Sequence, residues 1–172
     1  MAKSHASGKD AKVMPTRNDV QDNAKKVSIG VLNACLADSI DLYNATRSAH
    51  WNVKGPQFHS IHTMLEEFYN QLQTASDDLA ERVVQLGGTA LGTTQVLAQS
   101  TRLPPYPTDT YAGEDHLKAL AERYAAVAKS LREGIEETDE AGDADTADLL
   151  TEQSRAVDKQ LWMIEAFLQS DR

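Results

Sequence analysis

Two short joints and one long one constrain this chain more than any single residue does. Apolar side chains recur at three- and four-residue steps in four stretches, about 24–51, 57–86, 113–139 and 145–169, the spacing of helices with one buried face. Only a few residues join the first stretch to the second and the third to the fourth, which predicts two antiparallel helix pairs. About 26 residues separate the second from the third, and so long a link inside a domain is unusual. It predicts a crossover that carries the chain back along the length of a bundle. Val96-Leu97-Ala98 and their neighbours, about 90–99, predict a short helix in this link before Leu103-Pro104-Pro105-Tyr106-Pro107 stiffens it. Nothing alternates with period two over the length of a strand, so the predicted fold class is all-α.

The single long crossover is the topology of a ferritin-like four-helix bundle. The first helix repeats Val27, Val31, Cys35 or Leu36, Ile40, Tyr43, Arg47 and His50, which puts His50 on a packed face. Gly55-Pro56 breaks the chain and restarts it, and Gly87-Gly88 stops the second helix. Between them runs an apolar stripe of Phe58, Ile61, Leu65, Phe68, Leu72, Leu79, Val83 and Leu86. Leu117, Leu120, Tyr124, Val127, Leu131 and Ile135 mark the third helix, and Leu150, Val157, Leu161, Ile164 and Leu168 the fourth, with Asp143 or Asp145 as its cap.

At 172 residues the chain suits one domain. A net charge of -9 argues against a nucleic-acid surface covering the whole protein. Residues 1–26 differ, with Lys3, Lys9, Lys12, Arg17, Lys25 and Lys26 against three aspartates. The predicted division is a flexible basic N-terminal tail, 1–23, and a bundle, 24–172. The tail lacks the apolar core of a secretory signal, and no run approaches a membrane span, so a cytoplasmic protein without a membrane partner is predicted. Cys35, the sole cysteine, excludes an internal disulfide and a thiolate-rich metal site.

Four metal-capable side chains on the second helix stand in mirror symmetry about the junction of Gln71 and Leu72: His62 and Glu66 before it, Asp77 and Glu81 after it. At ~100° per residue they share a sector about 100° wide opposite the apolar stripe. Charges on one helix face are commonly no more than a solvated surface. Here His62 and Glu81, nineteen residues apart, lie roughly 28 Å apart along the axis and cannot hold one metal within a chain. An antiparallel copy crossing at the midpoint brings His62 and Glu66 of each chain to Asp77 and Glu81 of the other, forming two identical sites. With His50, the set of two imidazoles and three carboxylates suits Fe(II), with Mn(II) or Zn(II) as competitors. No Glu-x-x-His occurs, so a dinuclear centre inside one bundle, as in larger ferritins, is not available.

His50-Trp51-Asn52-Val53-Lys54-Gly55, Phe58, His62, Met64-Leu65-Glu66, Asp77 and Ala80-Glu81-Arg82 through Gln85-Leu86-Gly87-Gly88 resemble the signature of the Dps family, the mini-ferritins named as DNA-binding proteins from starved cells. The likeness continues through Asp145-Thr146-Ala147-Asp148 and Asp158-Lys159 to Trp162, covering roughly residues 24–169. It implies a hollow dodecamer that oxidises Fe(II), preferably with hydrogen peroxide, and stores ferric mineral. Carried over by position, His50, His62 and Glu66 come from one subunit and Asp77 and Glu81 from its two-fold partner. Glu66 stands where the family commonly has aspartate. Trp51 is most simply an interface aromatic, although the resemblance places it near the iron. The acidic turn after the third helix is either a solvated turn or, as the resemblance implies, an iron-admitting pore lined by Asp143, Asp145 and Asp148. Lys3, Lys9, Lys12 and Arg17 are candidate DNA contacts, the alternative being a solubilising tail. His59 has the place of an exposed histidine or a secondary metal ligand, and His5 and His116 show no partner pattern.

Overall fold

The computed structural model describes residues 13–169. They form α1 (Asp22–Asn52), α2 (Phe58–Gln85), α3 (Thr94–Ser100), α4 (Gly113–Ala141) and α5 (Ala144–Leu168). The described residues hold no strand, only an isolated bridge between Lys54 and Ala112. The all-α class and the four long helices match the sequence reading to within one or two residues at most ends. α1 packs against α2 and α4 against α5, with α1 and α4 in contact across the core.

Leu32, Leu36 and Leu42 of α1 meet Ile61, Leu65, Phe68 and Leu79 of α2 and Leu117, Leu120 and Tyr124 of α4, all nearly inaccessible to water. Each such side chain contributes about 1.5–3 kcal/mol through burial. Tyr124 brings a hydroxyl into this core. Thr46 donates to the Leu42 carbonyl at 2.8 Å and accepts from the Tyr124 hydroxyl at 3.1 Å, so no buried group is stranded there. Burial raises the Tyr124 phenol well above its usual range, keeping it protonated as that donor.

Helix ends follow local chemistry. Gly87 has φ +88° after the last turn of α2, and the Gly88 amide returns to the Val83 carbonyl at 2.9 Å. Gly142, φ +92°, ends α4 in the same way. Of the two aspartates that the sequence offered as the α5 cap, Asp143 takes the role, accepting from the Thr146 amide at 3.1 Å.

Five sets of contacts hold the crossover along the bundle. Asn33 donates to the Thr89 carbonyl and accepts from the Leu91 amide, Thr101 donates to Asp41, and Asp38 accepts from the Arg102 amide and side chain. Buried Arg123 donates to the carbonyls of Pro104, Pro105 and Ala119. Tyr106 is bonded to His116 Nδ1 at 2.6 Å.

His116 is almost wholly buried. Burial holds its pKa below the ordinary histidine range, with the Thr110 backbone and Asp115 pulling weakly the other way. Its stabilising contribution is therefore complete above about pH 6.5 and declines as pH falls towards the lower native pKa, because the unfolded chain takes up the proton first. Tm measured from pH 7 to pH 5 is expected to fall less steeply in His116→Gln than in the unaltered protein; parallel curves remove His116 from the acid response.

The N-terminal segment departs from the reading of a free tail up to residue 23. The Met14 amide donates to the Gly87 carbonyl at 2.8 Å, and Val13 packs on the core. Lys25 is buried and spends its charge on the Asn18 carbonyl at 2.6 Å. From Val13 onward the chain is anchored by main-chain hydrogen bonding that no side-chain pattern announces.

Candidate metal centre

α1 ends at Asn52 and α2 begins at Phe58, so the short joint brings the last turn of one beside the first turn of the other. There the His50 and His62 rings stack, centroids 3.7 Å apart and planes 21° apart. Each ring's Nδ1 lies 2.9 Å from the other residue's backbone oxygen. A carbonyl only accepts, so both Nδ1 atoms carry hydrogen, and in a neutral imidazole the lone pair is then at Nε2. Such a carbonyl bond is the usual outer partner of a metal-binding imidazole. It also satisfies the His50 carbonyl, one of the groups that the end of α1 would leave unpaired.

His50 is buried and His62 half-buried, while Glu66, Asp77 and Glu81 are exposed. Tyr69 packs edge-on against His50, centroids 5.2 Å apart, and its hydroxyl points to Glu66 at 3.4 Å. Partial burial and the Glu66 carboxylate raise the Tyr69 pKa, with Arg47 opposing. Phe58 departs from the predicted apolar stripe. It is 43% exposed and leans on the His62 ring, centroids 4.9 Å apart.

Among the described residues, no group of three or more His, Cys, Asp or Glu side chains converges on one point. One protomer thus pairs the two imidazoles but does not bring Glu66 in as a third donor or Asp77 and Glu81 to the same place. Two nitrogen donors are too few for a four- to six-coordinate ion.

Trp51 is 64% exposed beneath the Arg47 guanidinium, and His59 is exposed. Asp145 and Asp148 face solvent, as pore residues require. Asp143 does not, and its assignment to a pore is corrected. Its side chain is inaccessible, binding Arg82 at 2.8 Å and the Thr146 hydroxyl at 2.6 Å. An aspartate used as a helix cap and ion-pair partner has no face left for a channel. Lys3, Lys9 and Lys12 lie outside the described residues; Arg17 is exposed.

A ferritin-like domain matches residues 29–172. The "DNA protection during starvation protein" of Agrobacterium fabrum is 52% identical over 158 residues, 92% of this chain and 98% of that protein. The chain belongs to the Dps family. DpsA14 from Streptomyces coelicolor superposes on this Dps-family chain with a TM-score of 0.86 at 32% identity, covering 94% of this chain and 96% of that one. The Dps protein of Vibrio cholerae O1, described as a member of a broad superfamily of ferritin-like diiron-carboxylate proteins, gives 0.85 at 26% identity, covering 94% and 100%. No helix among the described residues of this Dps-family chain is long and apolar enough to cross a membrane.

Sequence reasoning missed three residues near the centre and the crossover. Tyr69 and Arg47 were placed only by tertiary contact, and His116 gave no signal because its partner Tyr106 sits in a proline-rich run without periodicity.

Proposed function

We propose that this protein is a mini-ferritin that oxidises Fe(II), preferably with hydrogen peroxide, at dinuclear sites shared between two-fold-related subunits. The observation that carries this is the reciprocal bonding of His50 and His62, which engages Nδ1 of each ring and leaves Nε2 as the atom available to a metal. Glu66 of the same subunit, with Asp77 and Glu81 of the partner subunit, completes the donor set in this reading. The Vibrio cholerae relative's description as a diiron-carboxylate protein supports the choice of iron. Zn(II) and Mn(II) would compete for the same donors.

Two adjacent irons each give up one electron, and together these cleave the O–O bond of one peroxide without releasing a one-electron product. Carboxylates suit this chemistry because their negative charge offsets the rising charge on iron. Storage of ferric mineral requires a hollow assembly, since a single bundle has no interior room for it, and a closed dodecamer supplies that room. Asp145 and Asp148, repeated about a three-fold axis, would draw cations inward. The place of action is the cytoplasm.

Fe(II)-loaded protein is expected to consume about one peroxide per two irons, with no hydroxyl radical captured by a spin trap. Radical yield equal to that of free Fe(II) overturns the reading. Sizing in solution tests the dodecamer.

A second reading, non-specific DNA binding through the tail, is favoured by the Agrobacterium relative's name and by the basic N-terminus. Lys25 is withdrawn, however, leaving Lys3, Lys9, Lys12, Arg17 and Lys26 against three aspartates in residues 1–26. Twelve weak tails on one shell can still act by avidity, steeply weakened by salt. Deleting residues 1–12 is expected to abolish gel retardation of DNA at low salt; equal retardation excludes the tail as the contact.

A further inference from the structure

Arg47 lies one helical turn before His50 on α1 and is exposed. Periodicity placed it on a packed face, yet its guanidinium carbon stands over three rings: 4.8 Å from the centre of Trp51, 5.8 Å from Tyr43 and 5.9 Å from Tyr69. Its Nη1 donates to the Tyr43 hydroxyl at 3.0 Å. Three rings and one hydrogen bond order a side chain that otherwise loses considerable rotamer entropy. The ion pairs among the described residues nevertheless leave it out, and no carboxylate among those residues lies within ion-pair distance. An ordered guanidinium with donors to spare presents a site for an anion.

The neighbours narrow which anion. Tyr69 touches Arg47 and His50 and points its hydroxyl at Glu66, so Arg47 sits on the midpoint side of the histidine pair. In an antiparallel pairing about the junction of Gln71 and Leu72, Glu66 opposes Asp77 of the partner subunit. That carboxylate therefore arrives in the turn of α2 that Arg47 overhangs. Without metal, it and Glu66 approach as like charges, a repulsion that a fixed cation relieves.

We propose that Arg47 is a positioning residue: in the metal-free centre it pairs across the two-fold axis with Asp77 of the partner subunit, and it yields that carboxylate to the arriving ion. The assignment rests on the intersubunit reading above. It makes metal binding a competition with an ion pair, so removing the guanidinium weakens the metal-free interface and tightens the metal complex.

The test uses the full-length protein stripped of metal, unaltered and as Arg47→Gln and Arg47→Lys. In sedimentation at low ionic strength, metal-free Arg47→Gln is expected to dissociate at several-fold higher protein concentration than the unaltered protein, a difference that shrinks in about 0.5 M salt. In Co(II) titrations it binds about tenfold more tightly. Arg47→Lys keeps the charge but not the planar fork that the rings hold, and falls between the unaltered protein and Arg47→Gln in both measurements. Arg47→Gln that associates like the unaltered protein and binds Co(II) no more tightly overturns the proposal. Failure of the metal reading shows separately, as Co(II) binding indifferent to His50→Ala and His62→Ala, while the metal-free association arm still decides Arg47.

Discussion

Replacing His50 and His62 together by alanine is expected to reduce Fe(II) oxidation to the rate of iron in buffer. The two rings supply both nitrogen donors of the proposed centre, and their Nε2 lone pairs are oriented only because each Nδ1 is fixed on the other residue's carbonyl. Either single replacement removes one donor and also frees the ring that stays, so each is expected to lose most of the activity. The double variant leaves the His50 carbonyl without its partner at the end of α1, a cost of about 1–3 kcal/mol that the rest of the bundle can absorb. Circular dichroism therefore retains the helical signal while stopped-flow oxidation and Co(II) absorption are lost. A folded double variant that oxidises iron at the full rate removes these histidines from the centre.

Asp143→Ala is expected to cost about 3–5 kcal/mol of stability, the largest effect of any single substitution considered. The Asp143 side chain is inaccessible, and its partner Arg82 is only 11% exposed, so deleting the carboxylate leaves a largely buried guanidinium with only the exposed Asp145, 4.0 Å away, as counter-charge. The same change removes the cap of α5 and the acceptor for the Thr146 hydroxyl, weakening the joint between α2 and the α4–α5 turn, which keeps the Arg82 to Thr146 bond. Asp143→Asn keeps an acceptor and loses the charge, so a smaller cost is expected. Burial alone would raise the carboxyl pKa, but the hydrogen bonds from Thr146 and the nearby Arg82 hold it below the usual range. Its contribution is thus complete above about pH 4 and lost as pH falls through the native value. Urea titration at fixed protein concentration measures both variants, and a cost below about 1 kcal/mol for Asp143→Ala counts against the buried pair.

The contrast between Asp143 and Asp145 shows where reading the sequence stops. The two are equivalent in composition and nearly so in position, and both suit a helix start. Asp143 is wholly buried because Arg82, sixty-one residues away, comes to meet it; Asp145 is left 84% exposed. Arg47 and Tyr69 repeat the lesson. On a helical wheel Arg47 continues the stripe of Tyr43 and His50, but it is exposed between them, its guanidinium turned onto the rings of Trp51, Tyr43 and Tyr69. Phe58 likewise leaves its stripe, leaning on the His62 ring instead.

What the order of residues determined by itself was periodic and local: four amphipathic helices, their glycine stops, the long return link and the placing of His62, Glu66, Asp77 and Glu81 on one face. Repeating backbone geometry converts such spacing directly into faces, so no distant contact is needed to see it. Only the tertiary structure decided that His50 and His62 lock each other's rings, that Asp143 is a buried cap, that the chain from Val13 is anchored, and that Arg47 has no carboxylate partner among the described residues. Each depends on groups far apart in sequence meeting at one point, and burial, hydrogen bonding and charge take effect only after that meeting.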